Sequence, residues 1–201
     1  VSVLSTEFTN GLALESIRLL FKYLPDSYNN GATDMKAREK VHYASTLAGM
    51  AFANAFLGIC HSMAHKLGAK FNIPHGLANA LLITDVIRYN ATDKPIKQTA
   101  FPQYTYPTAK GRYARIADHL NLGGTSENEK VEKLIAAIED LKKKLDIPLS
   151  IQEAGVSEPA FMTAIDALSE DAFDDQCTGA NPRYPLISEI RALYLKSFKH
   201  K

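Results

Sequence analysis

Three of the six histidines in this chain lie within fifteen residues, at positions 61, 65 and 75. His61 and His65 are four residues apart, so on a helix their imidazoles project from the same face, one turn apart. A helix presents two nitrogen ligands to one metal ion with this spacing, as in the HExxH motif of metalloproteases. His75 stands between Pro74 and Gly76, which predicts a turn that can bring a third imidazole back toward the first two.

The spacing alone leaves several interpretations open. A histidine on an apolar helix is more often a hydrogen-bonded core residue than a ligand, but three so close together favour a metal or catalytic site. Imidazole donors with few carboxylates suit Fe, Zn, Cu or Ni better than Ca or Mg. Ser62 and Met63 stand where an HExxH protease needs its glutamate, which disfavours a zinc hydrolase. Which two histidines bind the metal stays undetermined, and the remaining histidines are predicted to be structural or solvated: His42, His119 and His200.

The elements that must position these histidines are predicted to be helices, because no run of alternating strand residues is convincing. Pro25 should end the first helix, and Gly123 and Gly124 should separate two later ones. Ser126 and Glu129 form the capping box of the helix that follows. The predicted helices cover about residues 9–24, 34–60 or beyond, 76–89, 109–120, 127–145, 158 onward and 186–198. We predict an all-α, multi-helix bundle of about seven to nine helices that forms a single domain over residues 1–201.

Composition narrows the function classes. The net charge is +1, so the chain has no excess of one sign that would favour a nucleic-acid or membrane-surface partner. Residues 43–63 carry no charged side chain apart from His61, but they are rich in small and polar residues, which predicts a buried central helix rather than a membrane span. Cys60 and Cys177 form no CxxC pair, and no signal peptide is visible, which together predict the reducing cytoplasm.

The histidines stand in two longer motifs, HxxAHxxG at residues 61–68 and PHGxAN at residues 74–79. Together these resemble the histidine signature of the iron-containing (group III) alcohol dehydrogenases, a pattern that would rarely arise by chance. The resemblance covers essentially the whole chain and is closer still to the C-terminal helical part of the bacterial bifunctional aldehyde-alcohol dehydrogenases.

The resemblance implies a fold and roles for five residues. In this family an N-terminal α/β half binds NAD, and Fe2+ lies between it and a C-terminal helical half, held by one aspartate and three histidines. By motif match His61 and His75 would be metal ligands, and His65 would be a catalytic, non-ligand histidine near the nicotinamide and the substrate. Phe52 would line the substrate channel, and Cys177 would lie near the substrate. Both have plainer interpretations, Phe52 as a core residue and Cys177 as an unreactive buried thiol.

The chain departs from the family pattern in what it lacks. It contains neither the Asp-xxx-His motif that supplies the other two ligands nor a glycine-rich pyrophosphate loop. We therefore expect the NAD-binding half to be absent from this chain and the chain alone to be inactive. The whole enzyme would interconvert an aldehyde, acetaldehyde in the bifunctional relatives, and a primary alcohol such as ethanol, with Fe2+ or alternatively Zn2+, as a homo-oligomer.

A rival prediction from another class is a helical assembly module, because the bifunctional relatives stack into filaments. The irregular segment 92–107, rich in tyrosine and proline, would then be a contact surface.

Overall fold

The chain is a bundle of α-helices in a computed structural model that describes residues 1–97 and 107–199. Those residues contain no β-strand, which confirms the all-α prediction. The helices are α1 (Glu7–Asn30), α2 (Met35–Ala55), α3 (Ile59–Phe71), α4 (His75–Asn90), α5 (Ala109–His119), α6 (Glu127–Lys144), α7 (Glu158–Phe173) and α8 (Ile187–Phe198), with a 3-10 turn at Thr178–Ala180. Part of the segment 92–107, namely residues 98–106, lies outside the described residues.

The first helix is longer than the sequence predicts. A capping box between Thr6 and Thr9 begins α1, and the helix continues through Pro25 to Asn30 instead of stopping at the proline. Proline inside a helix costs about 3 kcal/mol because one backbone hydrogen bond is lost. Here α1 lies along α2 over most of its length, and we attribute the continuation to that packing.

The predicted single helix over residues 34–60 is wrong, since two helices meet there at a bend of 110°. Phe56 has a positive φ of 60°, and its amide donates to the carbonyl oxygen of Phe52, which ends α2. Gly58 is extended and precedes α3. The Ile59 amide at the start of α3 donates to Asn181 Oδ1 at 3.3 Å, so a distant residue helps to fix this corner.

The uncharged half of α2 is also less buried than predicted. Its small residues Ala44 and Ala51 are buried, but Met50 is 51% exposed and Phe52 is 49% exposed. The prediction of a wholly buried segment fails because α2 packs mainly against α1 along one side. No single helix in the described ranges is long and apolar enough to cross a membrane, although the bent pair of α2 and α3 meets the length and composition test together.

The main core lies where α3, α4, α7 and α8 meet. Met63 and Leu67 of α3 are completely buried, and Tyr194 of α8 donates its hydroxyl to the carbonyl oxygen of Met63 at 2.8 Å. A second apolar cluster joins the end of α4 to α5 and α6. Because α3 and α4 belong to the main core, the histidines that they carry are held on a rigid framework.

The predicted boundaries of the later helices agree well with the structure. Gly123 and Gly124 have φ values of 75° and 113°, the left-handed region that glycine tolerates between α5 and α6. Ser126 Oγ accepts from the amide of Glu129, as the capping box predicts. In a capping box the Glu129 carboxylate would accept from the amide of Ser126. Here it accepts instead from the amide and hydroxyl of Thr125, one residue earlier.

Candidate metal centre

The sharp turn between α3 and α4 brings the three clustered histidines together. Asn72 ends α3 in a left-handed conformation with φ 54°, and the amide of Ile73 donates back to the carbonyl oxygen of Gly68 at 3.1 Å. Pro74 is the N-terminal cap of α4, and His75 is the first residue of the helix. At Gly68 a Cβ atom would lie 2.9 Å from the Ile73 carbonyl oxygen, which explains why a residue without a side chain suits this turn.

The three imidazoles converge, as the spacing and the turn predict. The ring centroid of His75 lies 5.3 Å from that of His61 and 5.3 Å from that of His65. The rings of His61 and His65, which the helical spacing alone would pair, are 6.2 Å apart. The three rings are therefore neighbours, but in the described residues the ligand atoms that all lie within 4.8 Å of one another belong to His65, Asp175 and Cys177 rather than to the three histidines, and ring distances alone do not identify which histidines bind a metal.

The electrostatics of this cluster suit a cation. Burial, which is the largest cause, and the neighbouring His75 and His65 together lower the pKa of His61 to about 4. At neutral pH His61 is therefore uncharged and its nitrogen lone pair is available, which is the form of imidazole that a transition metal binds. The donor set fits the iron that the sequence resemblance implies.

Asn79 contacts His75 from one helical turn further along α4. Its Nδ2 lies 3.2 Å from His75 Nε2 and donates to the His75 carbonyl oxygen at 3.1 Å. Neither the histidine spacing nor the turn prediction assigned Asn79 a role, although its i, i+4 spacing from His75 is a local signal that could have indicated the contact.

On the other side of the cluster, His65 contacts a buried carboxylate. Its Nδ1 lies 3.1 Å from Asp175 Oδ2, and the ammonium group of Lys66 lies 3.0 Å from the same oxygen. Burial opposes ionisation of Asp175, but the hydrogen bonds from the Cys177 amide, Lys66 and His65 outweigh it and hold the pKa of this carboxyl well below its usual range. The sequence carries no signal that places Asp175 beside His65, because no spacing rule connects residues 110 positions apart.

His65, Asp175 and Cys177 also form a group whose ligand atoms all lie within 4.8 Å of one another. Burial, with a smaller contribution from the charge of Asp175, raises the pKa of Cys177 to about 11, so its free thiol is protonated at neutral pH. Lys66 already neutralises the carboxylate. This group is better explained as a hydrogen-bond network around His65 than as a second metal site.

The two residues assigned to the substrate channel occupy different environments. Cys177 is 2% exposed and directly follows the segment that contacts His65. Phe52 lies in the last turn of α2, 49% exposed, and is not part of the imidazole cluster. The interpretation of Phe52 as a core residue is therefore wrong for the described residues, because nearly half of its surface is exposed.

Comparison with known proteins identifies the family to which this chain is similar. The model of the "Fe-containing alcohol dehydrogenase family, C-terminal" matches residues 1–198. The bifunctional aldehyde-alcohol dehydrogenase AdhE of Escherichia coli (strain K12) is 62% identical over 200 residues, which are 98% of this chain and 22% of that protein. The aldehyde-alcohol dehydrogenase of Clostridium acetobutylicum is 61% identical over 198 residues, 98% of this chain and 23% of that protein.

A solved structure of a 1,3-propanediol oxidoreductase superimposes with a TM-score of 0.83 at 35% identity, covering 98% of this chain and 47% of that one. The chain thus spans less than a quarter of the length of these two curated relatives and about half of the solved structure. The chain belongs to the iron-containing alcohol dehydrogenase family, and it has the fold of that family's C-terminal helical domain.

Proposed function

We propose that this chain is the helical, metal-binding and substrate-binding part of an iron-dependent, NAD-linked alcohol dehydrogenase. The reaction is the interconversion of a small aldehyde, in the first place acetaldehyde, and the corresponding primary alcohol. The observation that carries the proposal is the convergence of three imidazoles, with ring centroids 5.3 to 6.2 Å apart, in a chain of this family.

His61 and His75 are the proposed metal ligands. Bound iron would supply Lewis-acid polarisation of the aldehyde oxygen, and bound NADH would supply the hydride. The two imidazoles stand on different helices joined by one tight turn, so their separation is set by the backbone rather than by flexible side chains. The remaining ligands and most of the NAD site belong, in this proposal, to an α/β half that residues 1–201 do not contain.

His65 is the proposed catalytic residue. It lies within the imidazole cluster yet has a partner of its own, Asp175, on Nδ1. Imidazole is the side chain that most readily exchanges a proton near neutral pH. We assign to His65 the proton that the substrate oxygen gains when the aldehyde becomes an alcohol, and loses in the reverse direction.

The family assignment gives no support to the alternative of an assembly module, because the relatives are named for their dehydrogenase activity. For the whole enzyme we also propose a homo-oligomer. Besides the metal and NAD, the only ligand that we expect it to bind is a small aldehyde or alcohol.

A chimaera tests the function directly. This chain replaces the matching 200 residues of the Escherichia coli relative, which is 62% identical there and supplies the rest of the enzyme. We expect the anaerobically prepared chimaera to bind close to one iron per subunit and to reduce acetaldehyde with NADH. An inactive chimaera that is folded and loaded with metal contradicts the proposal, and zinc as the only metal that supports turnover contradicts the choice of iron.

Three histidine substitutions separate the proposed roles. H61A and H75A should each remove the bound metal, lowering metal affinity by more than the roughly tenfold to hundredfold known for residues outside the ligand shell. H65A should keep the metal and lower kcat. H119A is the matched control, because His119 is exposed at the end of α5 and should leave both quantities unchanged. Loss of metal in H65A would make His65 a ligand and overturn its assignment.

A further inference from the structure

We propose that Asp175 is a positioning residue for His65: its carboxylate binds the Nδ1–H group and so leaves Nε2 as the nitrogen that exchanges the substrate proton. This inference rests on the proposed function and adds to it a residue that acts through another. It starts from the contact between Asp175 Oδ2 and His65 Nδ1 at 3.1 Å.

The carboxylate of Asp175 is held in place by burial and by polar contacts to both of its oxygens. Its side chain is 7% exposed, and Oδ1 accepts from the amide of Cys177 at 3.0 Å. Oδ2 lies 3.1 Å from His65 Nδ1 and 3.0 Å from the ammonium group of Lys66. Both oxygens therefore have fixed partners.

The ionised carboxylate of Asp175 decides the tautomer of His65. An ionised carboxylate can only accept hydrogen bonds, so the nitrogen facing it must carry a hydrogen. Nδ1 of His65 is therefore the donor, and in the neutral imidazole Nε2 keeps the lone pair. Without the carboxylate the ring could take either tautomer and could rotate, which would remove the proton acceptor from the reacting atoms in part of the population.

The backbone segment that carries Asp175 is itself tied to α3. Thr178 Oγ1 lies 2.8 Å from Ser62 Oγ, and it also donates to the carbonyl oxygen of Ala172 at the end of α7. The amide of Thr178 donates to the carbonyl oxygen of Asp175 at 3.0 Å. The turn after α7 is thus attached to α3 at two points about one helical turn apart, at Ser62 through Thr178 and at His65 through Asp175.

A double-mutant cycle in the active chimaera tests whether Asp175 acts through His65. D175N keeps the size of the side chain but removes the charge that dictates the tautomer. With His65 present, we expect D175N to lower kcat about tenfold to a hundredfold, with a smaller effect on KM and unchanged iron content. In the H65Q background, the same substitution should lower kcat less than about twofold, because the residue through which it acts is gone.

The neighbouring substitution D174N is the matched control, because Asp174 is exposed at the end of α7 and should leave kcat unchanged. An equal loss of kcat on D175N in both backgrounds would show a merely structural role and overturn the inference. Loss of iron in D175N would also overturn it, by making His65 a ligand that Asp175 supports. A chimaera with no activity at all would instead refute the proposed function, so the two failures are distinguishable.

Discussion

Two thiols lie close to the histidine cluster, and both are expected to be unreactive near neutral pH. Cys60 directly precedes His61, and its thiol donates to the carbonyl oxygen of Asn79 at 3.7 Å. Burial raises the pKa of Cys60 to about 12 and that of Cys177 to about 11. Because the thiolate is the reactive form, neither residue suits nucleophilic or redox chemistry near neutral pH.

We therefore predict that the native chain reacts slowly with a disulfide reagent such as DTNB at pH 8. A thiol with a pKa of about 11 is only about one part in a thousand thiolate at that pH, and the raised pKa delays reaction until the solution is strongly alkaline. In denaturant, where the pKa returns to its ordinary value, both thiols should react rapidly. Rapid reaction of one equivalent in the folded chain would contradict this description for one of the two thiols.

At the scale of elements, the corner between α2 and α3 decides where His61 lies. Asn181 holds this corner: its Oδ1 accepts from the Ile59 amide and from Asn90 Nδ2, both at 3.3 Å, and its Nδ2 donates to Asn90 Oδ1 at 2.8 Å. Asn181 is 2% exposed, so these bonds are shielded from water. A Cβ atom on Gly58 would lie 2.7 Å from Asn181 Oδ1.

The substitution G58A should therefore destabilise the fold. The new methyl group must displace the Asn181 amide from its bonds, and we expect the free energy of unfolding to fall by about 1–3 kcal/mol in urea denaturation. The matched control is G11A in α1, where nothing lies within 4 Å of the added Cβ. Alanine there should stabilise the helix by about 0.5–1 kcal/mol, and equal effects of the two substitutions would refute this account of the corner.

Over the whole molecule, buried apolar contacts are distributed unevenly. No residue of α1 or α2 belongs to the two core clusters that unite α3 to α8. The α1–α2 pair is instead attached through contacts such as the bond from Ser2 Oγ to the Ala55 carbonyl oxygen and limited packing of α1 on α5 and α6. Regions with few buried apolar contacts open at lower free energy than the core.

We predict that hydrogen exchange will show two levels of protection. Amides in α1 and α2 should exchange through a local opening, faster than those of α3, α4 and α8, whose exchange should require global unfolding. Mass spectrometry of peptides after timed deuteration measures both. Uniform protection across the eight helices would show that the α1–α2 pair unfolds together with the core.

Short-range patterns in the sequence determined much of the secondary structure and the position of the histidine cluster. The helices, most of their ends and the convergence of His61, His65 and His75 follow from interactions between residues a few positions apart, which a sequence displays directly. The family motif and the all-α class rest on the same short-range patterns.

Tertiary structure alone decided three other features: the corner at Gly58, the exposed side of α2 and the carboxylate on His65. Asn181 is 122 residues from Ile59, and Asp175 is 110 residues from His65. Periodicity and capping preferences describe how a segment folds on itself, but not which distant segment lies against it. These contacts exist because the core helices pack in one particular arrangement, and α2 keeps an exposed side because it packs mainly against α1.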